Sequence, residues 1–333
     1  GDFIQEKTYN DDGFVATGGH RVVFSGEQRQ TVNFATDKSC FSYVEIQNPS
    51  EEGVYSEKGI HCLYLNTNQN IYLTGMEGET GWTLQKDEVR QGDLVLVSGT
   101  LDLQGKELII NGDFIQKGGR VKINNGRLVV KGDYLIGDGP TDDNSMKGSW
   151  GTLSMQEPGD KIVVEGDFTM ASFLDHDTLL TDGELTVCGN LTQKAVGTKL
   201  NLATSGGFTL VMAGNDMQQV TMETADSRNS RIANFILRNT GEKGVFLNGI
   251  PVTGKVVVEK GAPRGELCAF TTTEFQDNIY EGDVLFKEYT VYGKPLHVKG
   301  FLTCTAGFVM NRDMEVEGNL RITSNMDLKG NTL

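Results

Sequence analysis

Long apolar runs are the first thing this sequence lacks. None of its 333 residues belongs to a run near the length of roughly 18 that a membrane-crossing helix needs, so no membrane insertion is expected. Positive charge is also scarce. Thirty Lys and Arg face 45 Asp and Glu, and the net charge of −15 argues against a nucleic-acid or anionic-membrane partner, both of which reward basic surfaces. Only six prolines accompany 42 glycines, a turn-rich composition without the proline content of collagen. No basic-then-apolar leader opens the chain. It opens inside a repeat motif, Gly1-Asp2-Phe3-Ile4-Gln5, as expected of a piece of a longer protein.

The signatures of common chemistry are missing as well. No GxGxxG, P-loop, HExxH or GxSxG occurs. The five cysteines (Cys40, Cys62, Cys188, Cys268, Cys304) are odd in number, widely spaced and without a CxxC. That spacing disfavours a zinc site or a disulfide framework, and buried inward thiols are expected instead.

What is present is alternation. In Gly92–Ile136 the apolar pairs Leu101/Leu103, Leu108/Ile110, Val121/Ile123, Leu128/Val130 and Tyr134/Ile136 each skip one residue, the period of a strand with one buried face. Glycine interrupts too often for helices. Gly112-Asp113-Phe114 returns as Gly132-Asp133-Tyr134, and degenerate copies stand at Gly166-Asp167-Phe168, Gly189-Asn190-Leu191 and Gly318-Asn319-Leu320. A second motif, Leu101-Asp102-Leu103-Gln104-Gly105, recurs at Thr290–Gly293 and at Met326–Gly330. A corner motif returning after a short circuit implies a coil that passes the same corner on each turn.

Laid against itself at an offset of 188, the chain repeats once more. Gly1–Gln5 meets Gly189–Gln193, and Gln30–Phe34 meets Gln218–Met222. Three residues are then inserted, and Val44–Asn48 meets Phe235–Asn239. The expected organisation is two stacked cassettes, residues 1–188 and a truncated 189–333, in one continuous rod. The expected fold is all-β, a right-handed parallel β-helix (β-solenoid), with tandem β-sandwiches as the alternative. Residues 137–151 read as a protruding loop.

Polysaccharide lyases and hydrolases are common on such folds, and they need several carboxylates on one face. An adjacent acidic pair stands in the loop at Asp142-Asp143, near Asp138, but it lacks the order of a calcium loop. His20, His61, His176 and His297 sit near no Ser/Asp or Cys constellation, and His20 aligns with Phe208 and His297 with Ile109. The recurrent Asp2, Asp113, Asp133 and Asp167, replaced by Asn190 and Asn319, read as turn caps. Gln5, Gln116 and Gln193 suggest an amide ladder. Trp82 and Trp150 are candidates for packing or for stacking on a sugar. No residue is assigned as catalytic, cofactor-binding or metal-ligating, and no cofactor is expected.

The stretch GTLDLQGKELIINGDFIQKGGRVKINNGRLVVKGDYLIGDG, with GTLSMQEPGDKIVVEGDFTM, HRVVFSGEQRQTVNF and CFSYVEIQN, resembles the repeat of large secreted or cell-surface proteins of clostridia and related Gram-positive bacteria. The resemblance spans nearly the whole chain. It implies an extracellular or surface-located, non-catalytic stalk, as in adhesin-like proteins or polymorphic toxins. Its partners would be flanking solenoid repeats and a surface glycan or a host or neighbour-cell protein. The alternatives are a carbohydrate-binding module and a polysaccharide-active enzyme.

Overall fold

The computed structural model describes residues 1–6, 13–36, 38–50, 53–56, 60, 62–66, 71–74, 82–84, 86–90, 92–140 and 146–333. Within them the chain is all β, and its one helical piece is a single 3-10 turn, Gln276–Asn278. A twelve-stranded parallel sheet runs from Ile71–Thr74 to Leu320–Ile322. Beside it a nine-stranded parallel sheet runs from Glu88–Arg90 to Glu274–Phe275. A four-stranded sheet, from Trp82–Thr83 to Thr152–Ser154, closes the coils of the most regular part into triangles. Further three-stranded parallel sheets flank these at both ends of the chain.

This is a β-solenoid. Sandwiches pair strands antiparallel, whereas the one antiparallel strand pair among the described residues is Gly139–Pro140 with Met146–Lys147, inside the expected loop. At about 4.8 Å per strand the longest sheet rises about 50 Å.

The alternation in sequence becomes a stacked interior. Leu108, Leu128, Ile162, Leu185, Leu210, Phe235 and Val256 occupy one inward column in register. Phe114, Tyr134 and Phe168 begin another, with Phe114 and Tyr134 stacked at 4.6 Å between centroids. Each buried Leu, Ile or Phe of this kind contributes roughly 1.5–3 kcal/mol relative to exposure. An outward column is β-branched throughout: Ile109, Val129, Val163, Thr186, Val211, Ile236 and Val257. Val129 and Val211 are buried there although they point away from the core. The flanking outward positions carry long charged side chains, among them the pairs Arg127–Glu107 and Lys131–Glu165, whose aliphatic stems can cover the column.

The Gly-Asp motif has a bonding reason. Asp93 Oδ1 accepts the N–H of Asp113 at 2.8 Å, and Asp113 Oδ1 accepts that of Asp133 at 2.8 Å. Asp133 then serves Asp167 at 2.7 Å, Asp167 serves Asn190 at 2.7 Å, and Asn190 serves Gln219 at 2.9 Å. Asp283 with Phe301 and Asp2 with Thr31 repeat the bond. The cap therefore lies on the next coil rather than in the residue's own turn. Glycine is needed because a Cβ at Gly112, Gly132, Gly166, Gly189 or Gly300 would overlap the carboxylate of the preceding coil. These glycines are crowded but not left-handed. Positive φ occurs instead in the second motif, at Gln104-Gly105 and Lys329-Gly330, each closed by an aspartate (Asp102, Asp327) that accepts the N–H two residues on.

The amide ladder does not form. Gln116 is flanked in register by Leu96 and Ile136, and Gln193 by Met170 and Met222, so no glutamine meets another. Each amide instead fastens a loop: Gln116 donates to the carbonyls of Gly119 and Thr152, and Gln193 to the carbonyl of Lys194 and the side-chain oxygen of Asn201. A different amide pair repeats across the chain. Gln30 accepts from Gly26, donates to Gly1 and accepts from Asn48, whose Oδ1 takes the N–H of Ser50. Gln218 makes the equivalent bonds with Gly214, Gly189 and Asn239, whose Oδ1 takes the N–H of Gly241.

Replacing Gly132 by Val drives a side chain into the Asp113 carboxylate and the Gly112 backbone. A loss of about 1–3 kcal/mol is expected. Chemical denaturation of Gly132→Val checks it, and an unchanged midpoint would show that the corner has room.

Candidate functional site

The loops that leave the twelve-stranded sheet stack on one another and build a polar face along the solenoid. Ser149 bridges Ser172. Asp175 accepts from the Thr198 hydroxyl. The carbonyl of Lys199 accepts from Thr224 at 3.2 Å and Ser230 at 2.9 Å. Glu223 takes both Lys194 Nζ and the N–H of Ala195 at 2.8 Å.

One contact jumps several coils. Ser227 Oγ lies 2.6 Å from both carboxylate oxygens of Glu288, and Lys287 Nζ donates to the Ala225 carbonyl at 2.9 Å. Asp226 sits against Glu288. The N–H of Arg228 is the main influence holding the Asp226 carboxyl below its usual range. Partial burial opposes it, while Glu288 and the charges of Lys287 and Arg228 add to it. Two touching carboxylates with a lysine and a hydroxyl are a constellation with acid–base potential. Sequence reasoning missed it, and 61 residues separate Ser227 from Glu288.

Aromatic side chains mark the same face. Trp150 is 67% exposed and its ring lies 5.3 Å from that of Phe173, tilted by 49°. A Cβ at Gly148 or at Gly197 would come within 2.8 Å of the Phe173 ring, so two glycines from the coils on either side seat it.

The other candidates are dispersed. Asp138 pairs with Lys117 at 3.3 Å and with Lys147 at the base of the hairpin, and the Lys147 hydrogen bond above all holds its carboxyl below the usual range. Asp142, Asp143 and His61 lie outside the described residues, as does the side chain of Trp82. His20 is exposed. His297 approaches Glu317 to 2.8 Å without hydrogen-bond alignment and Glu315 to 3.7 Å, beside a depression of about 760 Å³ that also exposes Asp277 and Asp313. Cys40, Cys62, Cys268 and Cys304 are buried and Cys188 is half-buried, and burial pushes their thiols up, Cys268 and Cys304 to about 11. Such thiols stay protonated and unreactive near neutrality.

His176 is a structural hub. It is fully buried, its Nε2 accepts the N–H of Leu153 at 3.1 Å, and its Nδ1–H donates to the Leu174 carbonyl at 3.0 Å. Its own carbonyl takes the N–H groups of Leu179 and Leu180. Both ring nitrogens are engaged only in the neutral form.

No known family model, curated protein or solved structure matches the chain.

Burial lowers the His176 pKa from 6.5 to about 4, against the opposing Leu174 bond. The unfolded chain therefore takes up a proton before the folded one does. Stability from this group is complete above pH 6.5 and falls by about 3 kcal/mol as pH drops toward 4. Unfolding free energies from urea titrations between pH 7 and 4 for the wild type and His176→Gln should converge by that amount, and parallel pH curves would contradict it.

Proposed function

We propose that this chain is a segment of a non-catalytic, structural and adhesive stalk of a large bacterial surface or secreted protein, working outside the cell. The observation that carries the reading is the continuous twelve-stranded parallel sheet. Corner bonds link residues 20, 34, 23, 29 and 18 apart, yet the coils stack in one twelve-stranded parallel sheet whose register shifts only at two bulges, between Leu96 and Ser98 and between Asn248 and Ile250. A spacer needs length, stiffness and solubility, which such a column supplies without any particular surface chemistry.

Two further features favour it. Charged side chains pair along the axis from coil to coil, as in Arg127–Glu107, Lys194–Glu223, Arg238–Glu259 and Lys294–Glu274. The resemblance of residues 20–34, 40–48, 99–139 and 151–170 to surface-protein repeats points the same way. Two cassettes, 1–188 and 189–333, remain our division of the rod, supported by the matching Gln30–Asn48 and Gln218–Asn239 networks. The partners proposed are neighbouring solenoid repeats and glycan or protein on an opposing surface.

The purified chain should scatter X-rays as a rod and release no reducing ends or unsaturated products from a broad polysaccharide panel. A compact sphere would remove the stalk. Turnover lost in Glu288→Gln or Asp226→Asn would replace it with an enzyme built on that carboxylate pair.

A further inference from the structure

We propose that Trp150 and Phe173 form a stacking platform that docks one pyranose ring of a neutral glycan on the stacked-loop face. This goes beyond the stalk reading and does not rest on it.

Packing does not account for Trp150. A structural indole is largely buried, whereas this one is 67% exposed and rests on Phe173. Phe173 in turn is held between Gly148 and Gly197, each too close for any Cβ. A mobile surface aromatic would not require two glycines from adjoining coils. The arrangement presents a flat ring in a preset orientation, which lowers the entropy lost when a ligand docks on it.

Size decides the class of occupant. Each aromatic ring buries on the order of 150–250 Å². A stable protein interface needs about 800 Å² on each side. One exposed indole on one half-buried phenyl suits a ligand of ring size. The C–H face of a pyranose is apolar, and its rim of hydroxyls needs donors and acceptors. Those are close by. Asp175, two residues from Phe173, and Thr198, next to Gly197, are joined across the coils by a hydrogen bond. Lys147 and Asp138 pair at the base of the hairpin that precedes Trp150.

Charge selects a neutral sugar. The two lysines near Asp138 are already paired with it, Asp175 is exposed, and the whole chain carries −15. A uronate would meet net repulsion there.

The test is affinity electrophoresis of the 333-residue chain in native gels containing neutral β-glucan, xylan or galactomannan, with polygalacturonate as the anionic counterpart. The wild type should be retarded by at least one neutral polymer. Trp150→Ala should weaken retardation about tenfold or more, Trp150→Phe should restore part of it, and Tyr289→Ala, which removes another highly exposed aromatic, should leave it unchanged. Indole fluorescence should shift on titration with the matching oligosaccharide, and the shift should vanish in Trp150→Phe, which keeps an aromatic ring should Trp150→Ala fail to fold. No retardation by any neutral polymer, equal retardation of Trp150→Ala, or retardation by polygalacturonate alone would overturn the proposal. Scattering profiles of the same samples report on the rod independently, so losing one reading leaves the other measurable.

Discussion

The structure depends on one bond made again and again: a corner aspartate or asparagine of one coil accepts the backbone N–H at the same corner of the next. Alone, such a bond contributes little, on the order of 1–3 kcal/mol with a charged acceptor. Its leverage lies in position. The carboxylate fits only where glycine leaves room, so Gly112, Gly132, Gly166 and Gly189 index successive coils on one edge. A slip of one residue would put an outward side chain inside and a Cβ against the carboxylate. Coil length is thereby released from register. The chain can spend 34 residues between one corner and the next and still re-enter the stack in phase.

That freedom explains where the irregular chemistry sits. The interior columns are mostly aliphatic and aromatic, with buried amides such as Gln116 and Gln193 among them, and admit few alternatives. Additions collect in the loops after the twelve-stranded sheet, where they bond mainly to the neighbouring loop. The latch of Ser227 on Glu288, the hub at His176 and the seat of Phe173 all belong to these loops. Outside the sheets, ion pairs parallel to the axis hold long side chains over the outward β-branched column, so a strongly acidic chain still covers its flat faces.

Much of the fold was legible because a solenoid writes its geometry locally. Alternation named the inward residues Leu108, Ile110, Leu128 and Val130, and the returning Gly-Asp named the corner. The offset of 188 paired Gln30 with Gln218, and the three-residue insertion paired Asn48 with Asn239, the residues that make equivalent bonds. What failed did so for physical reasons. Asp113 looked like a cap on its own turn because sequence shows no neighbour along the axis, yet its partner is twenty residues away. Gln116 looked like a rung of an amide ladder, but the residues stacked above and below it are Leu96 and Ile136. Asp226 and Glu288 meet across several coils of unequal length, and no spacing rule predicts such a meeting. The seating of Phe173 requires knowing that Gly148 and Gly197 flank it.

The most direct measurement is amide hydrogen exchange on Asp133→Ala and Asp133→Asn. Asn already fills the equivalent place at position 190, where its Oδ1 accepts the N–H of Gln219. If the corner bond sets the stack, Asp133→Ala should speed exchange of the Asp167 amide and of its neighbours on the same edge, while Asp133→Asn should stay close to the wild type. Equal protection in all three proteins would contradict the account, because the coils would then be held in register by their apolar columns alone.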